Sequence, residues 1–98
     1  MANLTIVARI EARKDSIDLV KSALLKLIEP TRKEQGCLQY DLHQDNDNPA
    51  VFLFYEIWAN RELWQAHMNN QNLKAFVEET DGAIEDLTVN EMTRIGAA

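Results

Sequence analysis

Apolar and polar residues alternate over positions 3–12 (NLTIVARIEA): Leu4, Ile6, Ala8, Ile10 and Ala12 point one way, Asn3, Thr5, Val7, Arg9 and Glu11 the other. A period of two sustained over that length predicts a strand. The period changes over 15–28, where Ile17, Val20, Leu24, Leu27 and Ile28 follow the i, i+3, i+4 spacing of an amphipathic helix, with Asp15 or Ser16 as its N-cap. Pro30 predicts a break or kink, followed by another helical turn or two that Gly36 stops. Alternation returns at 37–44 (CLQYDLHQ), with Leu38, Tyr40 and Leu42 on one face. The turn-forming DNDNPA at 45–50 then joins it to 51–58 (VFLFYEIW) as a β-hairpin. Asn60 is placed to cap a helix from Arg61 with an inner stripe of Leu63, Trp64, Ala66 and His67. After a polar interruption at 69–72, Leu73, Phe76, Val77 and Thr80 continue as a helical stripe, ended by Gly82. A last strand is predicted over 84–95 through Leu87, Val89, Met92 and Ile95, with a bulge between Val89 and Met92. The order β-α-β-β-α-β is that of a ferredoxin-like α+β fold.

The run 51–58 is apolar on both faces: Val51, Leu53, Tyr55 and Ile57 share one side, Phe52, Phe54, Glu56 and Trp58 the other. Two helices can cover one face of a four-stranded sheet, so the second face needs another layer, and the chain has no elements left to provide it. The aromatic side, with Phe52 and Trp58, is expected to face a second copy in a two-fold homodimer, because a monomer rarely exposes so large an apolar patch.

At 98 residues the chain is expected to form a single domain over 1–98, with little room for an enclosed site. Sixteen acidic residues against ten basic ones, a net charge of −6 without a Lys/Arg cluster, argue against nucleic acid and anionic membranes as partners. No apolar run approaches the ~20 residues of a membrane span. The N-terminus lacks the basic and long apolar regions of a signal peptide. The single Cys37 cannot form an intrachain disulfide, so the expected setting is reducing and cytoplasmic.

No metal motif, phosphate-binding glycine loop or serine-hydrolase elbow is present. Two ionisable residues stand in apolar surroundings. His67 follows Leu63 and Trp64 on the buried stripe of its helix. It is either a base working near neutral pH or a core histidine bonded to a backbone carbonyl. Glu56 lies between Phe54 and Trp58, where a carboxylate needs a function or a partner such as Arg9 or Arg94 at a subunit interface. Tyr40 and Tyr55 are either pocket-lining phenols or core aromatics. Nothing around Cys37 lowers its pKa, and it reads as a packing residue.

Three stretches in order, TRKEQGCLQYDLHQD (31–45), VFLFYEIWAN (51–60) and LWQAHMNNQNLKAF (63–76), resemble the antibiotic biosynthesis monooxygenase domain family. The marks of the resemblance are a Tyr-Glu-x-Trp pattern at 55–58 and the Ala66-His67 pair, and it spans the chain from Leu4 to about Met92. It implies a dimeric α/β barrel and a monooxygenase, quinol monooxygenase-like, that works on a small electron-rich aromatic, quinol or enol with O₂ and without flavin, metal or haem. A base removes a proton, the anion reduces O₂ by one electron, and radical recombination gives a peroxide that collapses to a quinone or ketone. By resemblance His67 is the leading proton-transfer residue, with Glu56 beside it. Tyr40, Tyr55, Trp58, Asn72 and Phe76 are the expected candidates for substrate contacts.

The sequence also departs from the family. Many relatives carry a second histidine in a Pro-His pair, where this chain has Gln71 and Asn72. Asn72 can orient a substrate but cannot take a proton. Haem-degrading relatives combine a first-strand Asn with a helix Trp, positions matched here by Ala8 or Arg9 and by His67, which disfavours that activity. A branch that processes phosphorylated autoinducer sugars would need a cation, for which Arg9, Lys21 and Arg32 are the candidates. A non-oxidative isomerase or lyase and a small-molecule-binding module are therefore the competing readings of the fold. A ligand-sensing role is expected to come with a DNA-binding segment, and none is read within these 98 residues, which weakens that reading.

Overall fold

The computed structural model describes residues 3–96. In chain order it comprises β1 (Leu4–Ala12), α1 (Ile17–Arg32), β2 (Cys37–Gln44), β3 (Val51–Trp58), α2 (Arg61–Met68), α3 (Gln71–Glu79) and β4 (Ile84–Met92). The strands form one antiparallel sheet in the order β2-β3-β1-β4. Each helical crossover skips one strand, so all helices lie on the same face, here the front. This is the ferredoxin-like α+β arrangement, with the second helical segment split in two.

Alternation in β1 is realised as expected, with Ile6, Ala8, Ile10 and Ala12 buried on the front. Ala8, Ile10 and Ala12 pack with Val20, Leu24 and Leu27 of α1 and with Phe52 and Phe54 of β3, while Ile6 packs with Trp58 and Trp64. Pro30 does not interrupt α1, which runs on to Arg32. The N–H that proline lacks would have bonded the carbonyl of Lys26, one turn back on an exposed face where water can replace it. Gly36 therefore lies beyond the helix rather than ending it. It turns the chain into β2 with φ +84°, and a Cβ there would stand 2.8 Å from Leu63 Cβ. Glycine is needed at 36 on both counts, and α2 packs directly on that turn.

The faces of β3 are the reverse of the expectation. Phe52, Phe54, Glu56 and Trp58 lie buried under the helices, while Val51, Leu53, Tyr55 and Ile57 face the uncovered back. Both faces are apolar enough that period alone does not tell them apart. In β2 a register shift between Cys37 and Gln39 makes Leu38 an extra residue. It is exposed, while Cys37 packs inward with Leu42 and Tyr40. Ala66 and Val77, read as inward, are exposed. The irregularity opposite β4 falls at Glu11/Ala12, not between Val89 and Met92, and Ile95 lies past the strand. No helix among the described residues is long and apolar enough to cross a membrane.

Candidate functional site

Between the helices and the front of the sheet lies a cavity of about 400 Å³, within the range of small-molecule sites. Its floor is built by Ile6, Ala8 and Ile10 of β1, Phe54 and Glu56 of β3, Tyr40 of β2, and Leu24 and Leu27 of α1. Its roof comes from His67 and Met68 of α2 and Leu73, Lys74, Phe76, Val77 and Glu78 of α3. Leu87 and Val89 of β4 form the open side. The short side chain of Ala8, between Ile6 and Ile10, leaves much of this space free.

His67 is buried in the last turn of α2. Its Nδ1 lies 3.0 and 3.2 Å from the two carboxylate oxygens of Glu34, in the turn after α1. A carboxylate can only accept, so Nδ1 carries the proton and Nε2 the lone pair. Nε2 makes no hydrogen bond within the described residues and is not among their sealed, unpartnered atoms, so it opens to the cavity. The ring is held against Trp58 at 4.8 Å and edge-on to Tyr40 at 5.7 Å. Burial lowers the His67 pKa, against the opposing pull of its bond to Glu34 and of the Glu34 charge. The imidazole is therefore neutral at pH 7 and able to accept a proton.

Glu34 is itself held. Asn70 donates Nδ2–H to its Oε2 at 2.7 Å, while the Asn70 Oδ1 accepts the Leu73 N–H at 2.9 Å and caps α3. The break between α2 and α3 thus places one side chain so that it both starts a helix and fixes the partner of His67. The expected backbone-carbonyl partner for His67 is replaced by this carboxylate.

Glu56 is buried at the cavity floor, and its Oε1 accepts from Trp58 Nε1 at 2.9 Å. Burial pushes its carboxyl up to about 7, against the Trp58 bond and with some help from the Glu34 charge. Tyr40 stacks on Phe54 at 4.4 Å, and burial pushes its phenol well above the usual range, so it remains an O–H donor. Burial also raises the Cys37 thiol, in keeping with a packing role.

The structure brings His67, Glu56, Tyr40 and Phe76 to one cavity, with Trp58 directly behind as the link between Glu56 and His67. Two other expected contacts are elsewhere. Tyr55 is exposed on the back of the sheet, because it alternates with Glu56 along β3. Asn72 is exposed on α3 away from the cavity lining, one turn position off the stripe set by Leu73 and Phe76. Arg9 does not meet Glu56 but pairs on the back with Glu11 at 3.6 Å and Asp86 at 3.8 Å. Arg94 lies past the end of β4. Arg32 bonds Asp41 at 3.0 Å, and neither it nor Lys21 lines the cavity. Glu34 and Asn70 are the residues that sequence reading missed. The repeated Asn-x-x-Leu of 60–63 and 70–73 was the available signal for a second cap. Among the described residues no three of His, Cys, Asp and Glu gather as a metal-binding group.

A family model described as antibiotic biosynthesis monooxygenase matches residues 3–79. A solved structure of the Pseudomonas aeruginosa protein PA3566 superposes with a TM-score of 0.94 at 28% identity, over 98% of this chain and 97% of that one. A second, described as an antibiotic biosynthesis monooxygenase, gives a TM-score of 0.88 at 30% identity over 95% and 99% of the two chains. The Synechocystis protein sll1783 is 29% identical over 77 residues, 79% of this chain and 52% of its own. The chain spans about half the length of the first curated relatives that it matches.

Proposed function

The chain belongs to the antibiotic biosynthesis monooxygenase family, and from that premise we propose that it oxidises a small electron-rich phenol, quinol or enol with O₂, using its own side chains for the proton transfers. The observation that carries this reading is the His67–Glu34–Asn70 chain opening through Nε2 onto an apolar cavity whose floor also holds Glu56. A substrate hydroxyl at Nε2 gives up its proton, and the imidazolium so formed is stabilised by the Glu34 carboxylate at 3.0 Å. The phenolate passes one electron to O₂, giving a substrate radical and superoxide. Their recombination at a ring carbon forms a C–O bond. Protonation of the peroxide and loss of water leave one oxygen atom in the product as a carbonyl. Glu56, as the carboxylic acid form near neutral pH, and the Tyr40 hydroxyl are the donors available for the developing oxyanion and the peroxide. The apolar walls hold the ring and exclude water.

The proposal includes a homodimer formed through the back of the sheet. It is tested by oxygen uptake with a panel of quinols and polyphenols in the presence of a chelator. One O₂ consumed per substrate is expected, with kcat lowered on the order of 10²–10⁴-fold in His67→Ala. Full activity in His67→Ala removes His67 from the mechanism. Turnover that continues under strict anaerobiosis replaces the oxygenase by a non-oxidative isomerase or lyase.

A further inference from the structure

The polarity of the cavity is inverted relative to a site for a compact, hydroxylated molecule. Its polar groups, Tyr40 and Glu56 on the floor and His67 in the roof, are buried. Its mouth is apolar and open to solvent: Leu87 is 53% exposed, Val89 37%, Val77 64% and Met68 40%. Exposed apolar surface that is contiguous marks a binding site, and here it is continuous with the interior. Val89 pairs with Ala8 and Leu87 with Ile10, so the two β4 side chains share the front face with the cavity floor. The helices leave both partly open to solvent, with Val77 of α3 standing on the opposite lip. Beyond Ile84 the strand is exposed throughout. Lys74 and Glu78 flank the mouth with opposite charges and give no preference for a charged group there.

A ligand that satisfies both ends must be amphiphilic. Resting on the reading of this cavity as the substrate site, we infer that it takes a phenol or enol bearing a hydrocarbon substituent of several carbons. The hydroxylated head lies at His67 and Glu56, where the hydrogen-bonding groups are. The hydrocarbon passes over Ala8, whose methyl leaves the path open, and lies along Leu87 and Val89 beneath Val77 and Met68. Reversing the ligand would bury a chain against Glu56 and His67 and leave their polar atoms unpaired.

The probes are 4-n-alkylphenols from methyl to octyl, with binding read from quenching of tryptophan fluorescence, since Trp58 lies against His67 at the cavity. Affinity is expected to rise by up to about fourfold per added methylene and then to level off when the groove is filled. In Leu87→Thr/Val89→Thr the chain-length dependence should flatten while 4-methylphenol binds as before. Val77→Ser, on the opposite lip and largely solvent-exposed, should flatten it in part, and serves if the double variant does not fold. Flat dependence in the wild type overturns the inference. So does full dependence retained in the folded variants, or a change of sedimenting mass in them, which would assign this strip to a subunit contact. Oxygen uptake is not read here, so loss of the oxygenase reading and loss of this inference are separate results.

Discussion

Glu56 and His67 are shifted in opposite directions by one cause. Burial disfavours charge, so the carboxyl rises to about 7 and the imidazole falls. An acid and a base can then coexist near neutral pH without exchanging their proton beforehand, as proton transfer in both directions during one turnover requires. The same shifts make a stability prediction. The folded Glu56 holds its proton up to about pH 7 while the unfolded one releases it near 4.5, so between those values the native state binds more protons and stability falls as pH rises. The full effect is about 3 kcal/mol, present below pH 4.5 and lost through pH 7. His67 works the other way: its depressed folded pKa gives stability that is present above 6.5 and lost as pH falls. Glu56→Gln keeps an acceptor for Trp58 Nε1 and removes the titration. Urea unfolding from pH 4.5 to 8 should show wild type losing stability relative to this variant as pH rises. Parallel profiles for the two proteins would mean that Glu56 is ionised in the fold.

The two asparagine caps make a matched pair of elements. Asn60 and Asn70 each accept the N–H of the residue three further on, Leu63 and Leu73, both at 2.9 Å. Only Asn70 also donates to Glu34. Replacing either by Ser keeps a capping oxygen, with a stability cost well under the ~1 kcal/mol of a lost cap. The serine at 70 cannot reach Glu34 as the longer amide does, so His67 loses a fixed partner. Asn70→Ser is therefore expected to lower kcat several-fold, at little cost in the urea midpoint, while Asn60→Ser leaves kcat unchanged. Equal kcat in both variants would reduce Asn70 to a cap. This pair also shows where sequence reading stops. Period located every strand and helix, because alternation and the i, i+3, i+4 rule are local properties of the chain. It could not choose between the two apolar faces of β3, and so named residues of both, Tyr55 and Trp58, as substrate contacts while expecting the Trp58 side to meet a second copy. A single extra residue at Leu38 turned Cys37 inward in its place, leaving Tyr40 and Leu42 inward as read. Glu34 sits in a turn with no period at all, 33 positions from the histidine that it holds. His67 and Glu56 were legible because an ionisable residue on an apolar stripe is conspicuous in sequence, whereas a partner brought in by a turn is not.

For the molecule as a whole, placing the aromatic side of β3 under the helices changes which residues need a second layer without removing the need. The back of the sheet presents Val7, Leu53 and Ile57, half-buried, with Tyr55 and Met92 exposed, and no element of the chain covers it among the described residues. Among the described residues its one cation, Arg9, lies between the carboxylates of Glu11 and Asp86, so each of these charges has an opposite charge beside it. A sheet face of this kind can pack on its own copy without burying an unpaired charge, and two-fold pairing closes the assembly. Tyr55 is then an interface residue rather than a substrate contact. If so, the wild type sediments as a dimer at micromolar concentration, and its Tm rises with protein concentration because association is linked to folding. Tyr55→Asp puts a charge in the middle of the packed faces, which is strongly disfavoured when it has no partner. It should sediment as a monomer with a Tm that no longer depends on concentration. The cavity lies on the other face of the same strand, so alkylphenol binding measured at saturation should survive in that monomer. A wild-type monomer at these concentrations would leave the back of the sheet as plain surface. A Tyr55→Asp dimer would move the contact to another part of the fold, with the bare front of β4 the next place to look.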